Sequence, residues 1–304
     1  MAQKTVVHTR VFADRPEGGN PCPVVLDGDD LTVEQATSLA ARFGAETSLV
    51  TKPRTADADF GLRFFVPQHE MEMCIHGTVA ATTVLRKSGR LPKTPARIDT
   101  LLGPISVTWR EDADKEVVVT AFQFPGIFSK LNPTLEEVSR ALRIPSRVIR
   151  REFGPIVSVS TSRYKLMVPL ESEEILDGLR PDFEMLWRLC DQYDTTGFYP
   201  FVEVGAGRPG NYAARQFPKR AGYDEDPATG TAACALGAYL ATHHHPTDGW
   251  HYFQIRQGYA MAKPSRMEVG AYVDDGRVTR TCVSGKATIL NMSLETVPPV
   301  SARG

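Results

Sequence analysis

The chain has 304 residues, enough for two domains of ordinary size, and its 42% hydrophobic and 23% charged content is typical of a soluble globular protein. A net charge of -1 gives no general attraction to polyanions, so we expect neither a nucleic acid partner nor a membrane surface. The N-terminus lacks the apolar core of a signal peptide, and no apolar run approaches membrane-spanning length, so we expect a cytoplasmic protein.

The first part of the chain predicts strands interrupted by two helices. KTVVHTRVFAD predicts a strand, and LTVEQATSLAARFG predicts a helix that has Thr32 as its N-cap, Gln35 three residues later and Gly44 at its end. Further strands are predicted in ETSLVTK and ADFGLRFFVP. A helix is then predicted in TVAATTVLRKSG, ending at Gly89, followed by strands in RIDTLLGPISVTWR and KEVVVTAFQFP.

A second alternation of helix and strand begins at NPTLEEVSRALRI and continues through GPIVSVSTSRYKLMVPL, FEMLWRLCDQYDTTG and FYPFVEVG. Loops are short, strands predominate, and no low-complexity linker separates the halves. This pattern predicts a turn-rich α+β protein.

The two halves contain similar segments, RFFVPQHEMEMCIHGTVAATTVL and RQFPKRAGYDEDPATGTAACALGAYL. Matching Gly77-Thr78 with Gly230-Thr231 aligns Arg63 with Arg215 to within one residue. This shared spacing predicts two similar domains.

In both segments Gly-Thr stands at a predicted helix start and is followed by small residues. The free backbone N–H groups and the helix dipole of such a start can bind a carboxylate or phosphate. The alternative is two buried helices whose small residues permit tight packing, and for either segment alone that interpretation is favoured.

Acid–base groups flank the predicted helix starts. Cys74 and His76 precede the first, Asp226 precedes the second, and Glu46 follows the helix that ends at Gly44. The helix dipole stabilises a charge at such a place while burial opposes it, so these groups are candidates for proton transfer near neutral pH. Alternatively, Asp226 caps the helix behind Thr229, and Glu46 is a surface charge at the edge of a strand.

The cysteines are odd in number and form no CxxC pair, which argues against disulfides and a structural zinc site. We assign Cys234 to packing, and Cys22, Cys190 and Cys282 to the structure. The run His243–His245 predicts a helix-ending surface loop rather than a metal site. GxGxxG, Walker and HExxH motifs are absent, so nucleotide, nicotinamide and zinc-protease functions have no support and we expect no metal.

Three segments resemble the PhzF-like isomerase family of phenazine biosynthesis. They are VFADRPEGGNPCPVVLDGDDLTVEQATSLAARFGAETSLV, with its Gly-Asn-Pro turn, DEDPATGTAACALGAYL and RQGYAMAKPSRMEV. The resemblance implies a diaminopimelate epimerase-like fold, in which each of two similar domains wraps a sheet or open barrel around a central helix. It also implies a cofactor-independent enzyme that forms homodimers. We place the domains at residues 1–126 and 127–285, with residues 286–304 returning to the first domain.

The resemblance assigns roles residue by residue. Glu46 matches the catalytic glutamate, His76 the histidine of the first motif and Asp226 the aspartate of the second; Cys74 joins them as a candidate catalytic residue. The candidate substrate-binding residues lie in the Gly-Asn-Pro turn and at the two helix starts: Asn20, Gly77, Thr78, Gly230 and Thr231.

The first motif departs from the family pattern. Isomerases of this family usually have Gly-His-Ala here, whereas this chain has Cys74-Ile75-His76-Gly77. The stretch MCIHGT is similar to Met-Cys-Gly-His-Gly-Thr of proline racemases, in which the cysteine is a catalytic base. The second racemase cysteine is absent from DPATGT.

The sequence therefore favours an isomerase in which Glu46 removes a proton from a small carboxylate substrate and returns it at another carbon. Two alternatives remain open. One is a two-base racemase or epimerase of an amino or imino acid that uses Cys74 against Asp226. The other is a non-catalytic protein that binds a small anion.

Overall fold

The computed structural model describes residues 3–205 and 210–297. The chain divides into two compact units: residues 1–13, 20–122 and 284–304 form the first, and residues 14–19 and 123–283 form the second. The boundaries near residues 122 and 284 differ by a few residues from the domain boundaries expected from the sequence. Residues 14–19 group with the second unit, which the sequence did not predict.

Runs of strands are interrupted by a few helices, which fits the predicted α+β class. The strands are β1 (Gln3–Val11), β2 (Asn20–Val25), β3 (Thr47–Thr51), β4 (Phe60–Phe65), β5 (Glu70–Met71), β6 (Ala96–Thr100), β7 (Gly103–Glu111), β8 (Val117–Gln123), β9 (Ile127–Phe128), β10 (Val157–Ser160), β11 (Tyr164–Pro169), β12 (Gly197–Glu203), β13 (Asn211–Ala214), β14 (Phe217–Pro218), β15 (Gly249–Gln257), β16 (Ser265–Asp274) and β17 (Arg277–Thr296). The helices are α1 (Val33–Phe43), α2 (Ile75–Lys87), α3 (Leu135–Leu142), α4 (Glu173–Gly178), α5 (Phe183–Gln192) and α6 (Gly230–His244).

The first unit wraps its strands around α2. β1 pairs with β17 and β2, β2 runs parallel to β3, β3 pairs with β4, and β4 continues through β6 and β7 to β8. β8 also pairs with β17, which closes the strands into a barrel. Helix α2 packs against β1, β2 and β3, and its residues 75–85 are all buried. Its small side chains are therefore needed for a helix surrounded by strands.

The second unit repeats this design around α6. Its ladder runs from β9 through β10, β11, β12, β13 and β15 to β16. Helix α6 packs against β10, β11, β15 and β16, and its residues 230–241 are all buried. Helices α3 and α5 pack in a separate core of this unit, around Leu142, Leu186 and Phe198. The predicted α+β, diaminopimelate epimerase-like architecture is thereby confirmed.

The predicted signals of α1 are confirmed. Thr32 accepts from the Gln35 backbone N–H, the Gln35 side chain accepts from the Thr32 backbone N–H, and Gly44 ends the helix at φ 61°. The predicted start of α2 was wrong, because the helix begins at Ile75, upstream of Gly77-Thr78. His76 accordingly lies inside the first turn. Within the described residues, no helix is both long enough and apolar enough to span a bilayer.

Each unit contains a buried or partly buried arginine–glutamate pair, formed by the two arginines that the internal repeat aligns. Arg63 pairs with Glu70 through two hydrogen bonds of 2.7 and 2.8 Å, and Arg215 pairs with Glu225 at 2.8 and 2.7 Å. Each guanidinium lies over the ring of the phenylalanine two residues later, at 5.0 and 4.9 Å. Arg63 also donates to the Leu31 carbonyl, and Arg215 donates to three carbonyls at the end of α4.

Candidate active site

Cys74 caps the N-terminus of α2 with its sulfur. Its backbone is extended, at φ -145° and ψ 112°, and its Sγ accepts a hydrogen bond of 3.2 Å from the Gly77 N–H. Serine, threonine, aspartate and asparagine are the usual residues for this task. The sulfur is thus held at the positive end of the helix dipole, although the side chain is buried.

Glu46 reaches the same place from another part of the unit. Gly44 turns the chain out of α1, and Glu46 stands directly before β3, the strand on which α2 packs. Its Oε2 lies 3.1 Å from Cys74 Sγ, which donates to it, and 3.3 Å from His76 Nε2. The structure therefore brings Glu46, Cys74 and His76 together, as the acid–base hypothesis requires.

The Cys74 proton is held strongly. Burial raises the pKa of the Cys74 thiol well above its ordinary value, and the negative charge of Glu46 raises it further, while the Gly77 N–H opposes both effects. At neutral pH the sulfur therefore carries the proton and donates it towards the Glu46 carboxylate. The arrangement presents a carboxylate base beside a protonated thiol, rather than a free thiolate.

The other candidates in the first unit lie close by. Asn20 begins β2 opposite Val11 and is 7% exposed. Thr78 is fully buried and its hydroxyl donates to the Cys74 carbonyl at 2.9 Å. A side chain at Gly77 would overlap the Ser48 hydroxyl oxygen, so close packing on β3 is a sufficient reason for this glycine. Their binding roles stay predictions.

In the second unit, Asp226, Gly230 and Thr231 lie around the start of α6. The helix begins at Gly230 as predicted, and both Asp226 and Thr231 are buried. The N-cap Thr229 makes no capping bond with its side chain, because its hydroxyl donates to Asp226 Oδ2. Asp226 therefore holds the side chain of the N-cap residue.

Gln257 was missed as a site residue by sequence reasoning, although it lies in the segment RQGYAMAKPSRMEV. Its Nε2 donates to the Asp226 carbonyl at 2.6 Å and to Thr229 Oγ1 at 3.1 Å. Its Oε1 accepts from the Thr229 N–H at 3.3 Å and from the Tyr199 hydroxyl at 2.9 Å. This buried amide fixes the loop that leads into α6; the Gln-Gly pair of the family segment was the available signal.

The remaining cysteines and histidines behave as structural residues. All five cysteines are free and buried, including Cys234 within α6. His243 and His244 form the last turn of α6, where His244 packs on Phe153 at a centroid distance of 4.1 Å, and His245 caps the helix and stacks on His251 at 5.5 Å. Burial lowers the pKa of all three histidines of the run, as expected for packed imidazoles.

One group of side chains in the described ranges, Glu46, Cys74 and His76, combines oxygen, sulfur and nitrogen donors near enough to hold a metal ion. The sequence analysis named these three residues as acid–base candidates but expected no metal, because Glu46 is 28 residues from Cys74 along the chain and no metal-type spacing is present. Chemically, the three side chains can accept a proton from carbon, hold it and deliver it elsewhere, or they can bind a cation.

Comparison with known proteins places the chain among isomerases. Residues 9–293 match the family model PhzC-PhzF, described as phenazine biosynthesis-like protein. An uncharacterized isomerase of Deinococcus radiodurans is 33% identical over 91% of this chain and 90% of that protein. Trans-2,3-dihydro-3-hydroxyanthranilate isomerase of Pseudomonas aeruginosa is 30% identical over 90% of this chain and 92% of its own length. The crystal structure of a Bacillus anthracis phenazine biosynthesis protein of the PhzF family superimposes with a TM-score of 0.87 at 26% identity, over 98% of this chain and 100% of that one.

Proposed function

Because the chain belongs to the phenazine biosynthesis-like (PhzC-PhzF) family and is an isomerase, we propose that it moves a proton between two carbons of a small carboxylate substrate without a cofactor. The observation that carries this proposal is the Glu46 carboxylate, whose Oε2 faces both a protonated thiol and an imidazole within 3.3 Å. A 1,3-proton shift needs a single base that can remove the proton and return it.

Each side chain around Glu46 has a part in this reaction. Glu46 takes the proton from the activated carbon. His76 holds the carboxylate in place and polarises the substrate. Cys74 is assigned as a proton donor rather than a base, because its thiol already carries a proton at neutral pH.

Within the first unit we assign substrate binding to Asn20. In the second unit, taken by itself, Asp226 and Thr231 are the candidate anion-binding residues. The first-turn N–H groups of α6 suit a carboxylate, since a helix start combines free donors with the positive end of the dipole. Gln257 keeps the Asp226–Thr229 loop in the shape that exposes these groups.

The test is proton NMR in heavy water on a panel of cyclic and amino carboxylates, including trans-2,3-dihydro-3-hydroxyanthranilate. Wild type should introduce deuterium at one carbon. Glu46→Gln should lower the rate at least about 100-fold, the usual contribution of a general base. The exposed Glu34→Gln on α1 is the matched control and should keep the wild-type rate. Full activity of Glu46→Gln would refute the assignment of the base.

A racemase that uses the Cys74 thiolate is the second candidate, and the Gly77 N–H at 3.2 Å from the sulfur favours it. Burial and the Glu46 charge oppose it, because both keep the thiol protonated. The position of the label separates the reactions. Deuterium at a stereocentre, lost in Cys74→Ala but kept in Glu46→Gln, would establish the racemase. The named isomerase relatives favour either reaction over a non-catalytic binding protein.

The homodimer is also a proposal. β17 carries an alternating apolar stripe along its pairing with β1: Leu290, Met292 and Leu294 are 50%, 66% and 68% exposed. An interface between two copies would remove this stripe from water. Light scattering should give twice the mass of the chain. Met292→Glu should lower the measured mass towards that of the monomer. The control Leu131→Glu, at another exposed position, should leave the mass unchanged. A wild-type monomer at all concentrations contradicts the proposal.

A further inference from the structure

The three side chains around Glu46 have the spacing of a metal site. Cys74 Sγ lies 3.1 Å from Glu46 Oε2 and 3.6 Å from His76 Nε2, and the two latter atoms are 3.3 Å apart. Each side chain offers one donor atom, and together they supply sulfur, nitrogen and oxygen.

These distances match the edges of a zinc tetrahedron. Zinc bonds of about 2.3 Å to sulfur and about 2.0 to 2.2 Å to nitrogen and oxygen imply donor–donor separations of about 3.3 to 3.6 Å. The Sγ–Nε2 and Nε2–Oε2 separations already fall in this range. Two adjustments complete the tetrahedron. The Sγ–Oε2 edge must lengthen by about 0.4 Å, which a small rotation of the Glu46 side chain supplies. The His76 ring must also turn, because Sγ now lies 3.4 Å from Nδ1 as well and the Nε2 lone pair has to point at the ion.

We propose that this cluster binds one zinc ion and that the ion inhibits the enzyme. Binding replaces the Sγ–H bond with a metal–sulfur bond, and the displaced proton leaves to solvent. The thiolate and carboxylate charges then balance the charge of the ion. Three protein ligands leave a fourth position for water or a substrate carboxylate.

The donor set selects the class of ion. Thiolate and imidazole favour zinc and cobalt, whereas magnesium and calcium require oxygen ligands. Inhibition follows because the bound ion occupies the Glu46 lone pair that accepts the substrate proton and displaces the proton that the Cys74 thiol would donate. The inhibition, but not the binding, rests on the proposed function.

The binding test uses untagged, metal-free, reduced full-length protein titrated with Co²⁺ in the absence of substrate. A thiolate-to-cobalt charge-transfer band in the near ultraviolet should rise and saturate at one equivalent, and Zn²⁺ should abolish it. Cys74→Ala should lose the band. Cys234→Ala removes a buried cysteine from α6 and is the matched control that should keep it. The histidine run cannot imitate this signal, because it contains no sulfur.

Glu46→Gln and His76→Gln should keep the band but weaken cobalt binding, at least about 10-fold each, since each removes or neutralises one ligand. Circular dichroism of each variant checks that it is folded. No charge-transfer band in wild type, or a band retained in Cys74→Ala, would overturn the metal site.

Inhibition is measured separately as the loss of deuterium incorporation on adding one equivalent of Zn²⁺, with recovery on chelation. Cobalt binding without any isomerase activity would refute the proposed function and leave the metal site standing. Isomerase activity without the cobalt band would support the proposed function and overturn the metal site. Activity that persists in the zinc-loaded enzyme would overturn the inhibitory role.

Discussion

Raising the pH should unfold this protein through its buried cysteines. Burial raises the pKa of Cys22 and Cys190 to about 12 and that of Cys282 to about 11, and it raises the pKa of Cys74 and Cys234 well above the ordinary value. In the unfolded chain each thiol titrates near a pKa of about 8.5. Between these limits the unfolded chain loses thiol protons that the folded chain keeps.

The sign follows from this difference in bound protons. A thiol with a raised folded-state pKa contributes its full stability below about pH 8.5, and that contribution is lost as the pH rises. From pH 7.5 to 9.5 each such thiol lowers the free energy of unfolding by about 1.4 kcal/mol. The five together lower it by about 5 to 7 kcal/mol, a large fraction of the stability of a typical domain.

The assay is urea unfolding at pH 7.5, 8.5 and 9.5 with a reductant present, summing all transitions because two units need not unfold together. Cys190→Ala should flatten the pH dependence by about one fifth, whatever it does to the stability at pH 7.5. A free energy of unfolding that changes by less than about 1 kcal/mol across this range would show that the folded protein ionises its thiols freely.

Two further predictions compare the arginine–glutamate pairs of the two units and one glycine in each central helix. Glu225→Gln should destabilise the protein by about 3 kcal/mol, because it removes the carboxylate partner of Arg215, which is 7% exposed. Glu70→Gln should cost about 1 kcal/mol. Equal losses of urea stability in the two variants would contradict this ranking. Gly77→Ala should lower the stability by about 1 to 3 kcal/mol, because the added Cβ overlaps Ser48. Gly237→Ala in α6 should be nearly neutral, because its added Cβ meets one Val269 methyl at 3.2 Å and otherwise only ordinary contacts. Thermal unfolding of the two variants tests this difference.

Local sequence signals were sufficient for the elements whose ends are set by their own residues. The ends of α1 follow from Thr32, Gln35 and Gly44, whose hydrogen bonds and backbone angles involve only neighbouring residues. The start of α2 was misplaced because its cap is a cysteine sulfur, which is not among the residues that usually mark a helix start.

The sequence by itself determined the α+β class, the repeated segments and the identity of the acid–base candidates, because periodicity, turn residues and repeats are written along the chain. Only the tertiary structure decided that Glu46, Cys74 and His76 meet at one atom, Oε2 of Glu46. That meeting depends on α2 packing on β3, a contact between residues far apart in sequence. It also depends on burial, which keeps the thiol protonated and which no local pattern records.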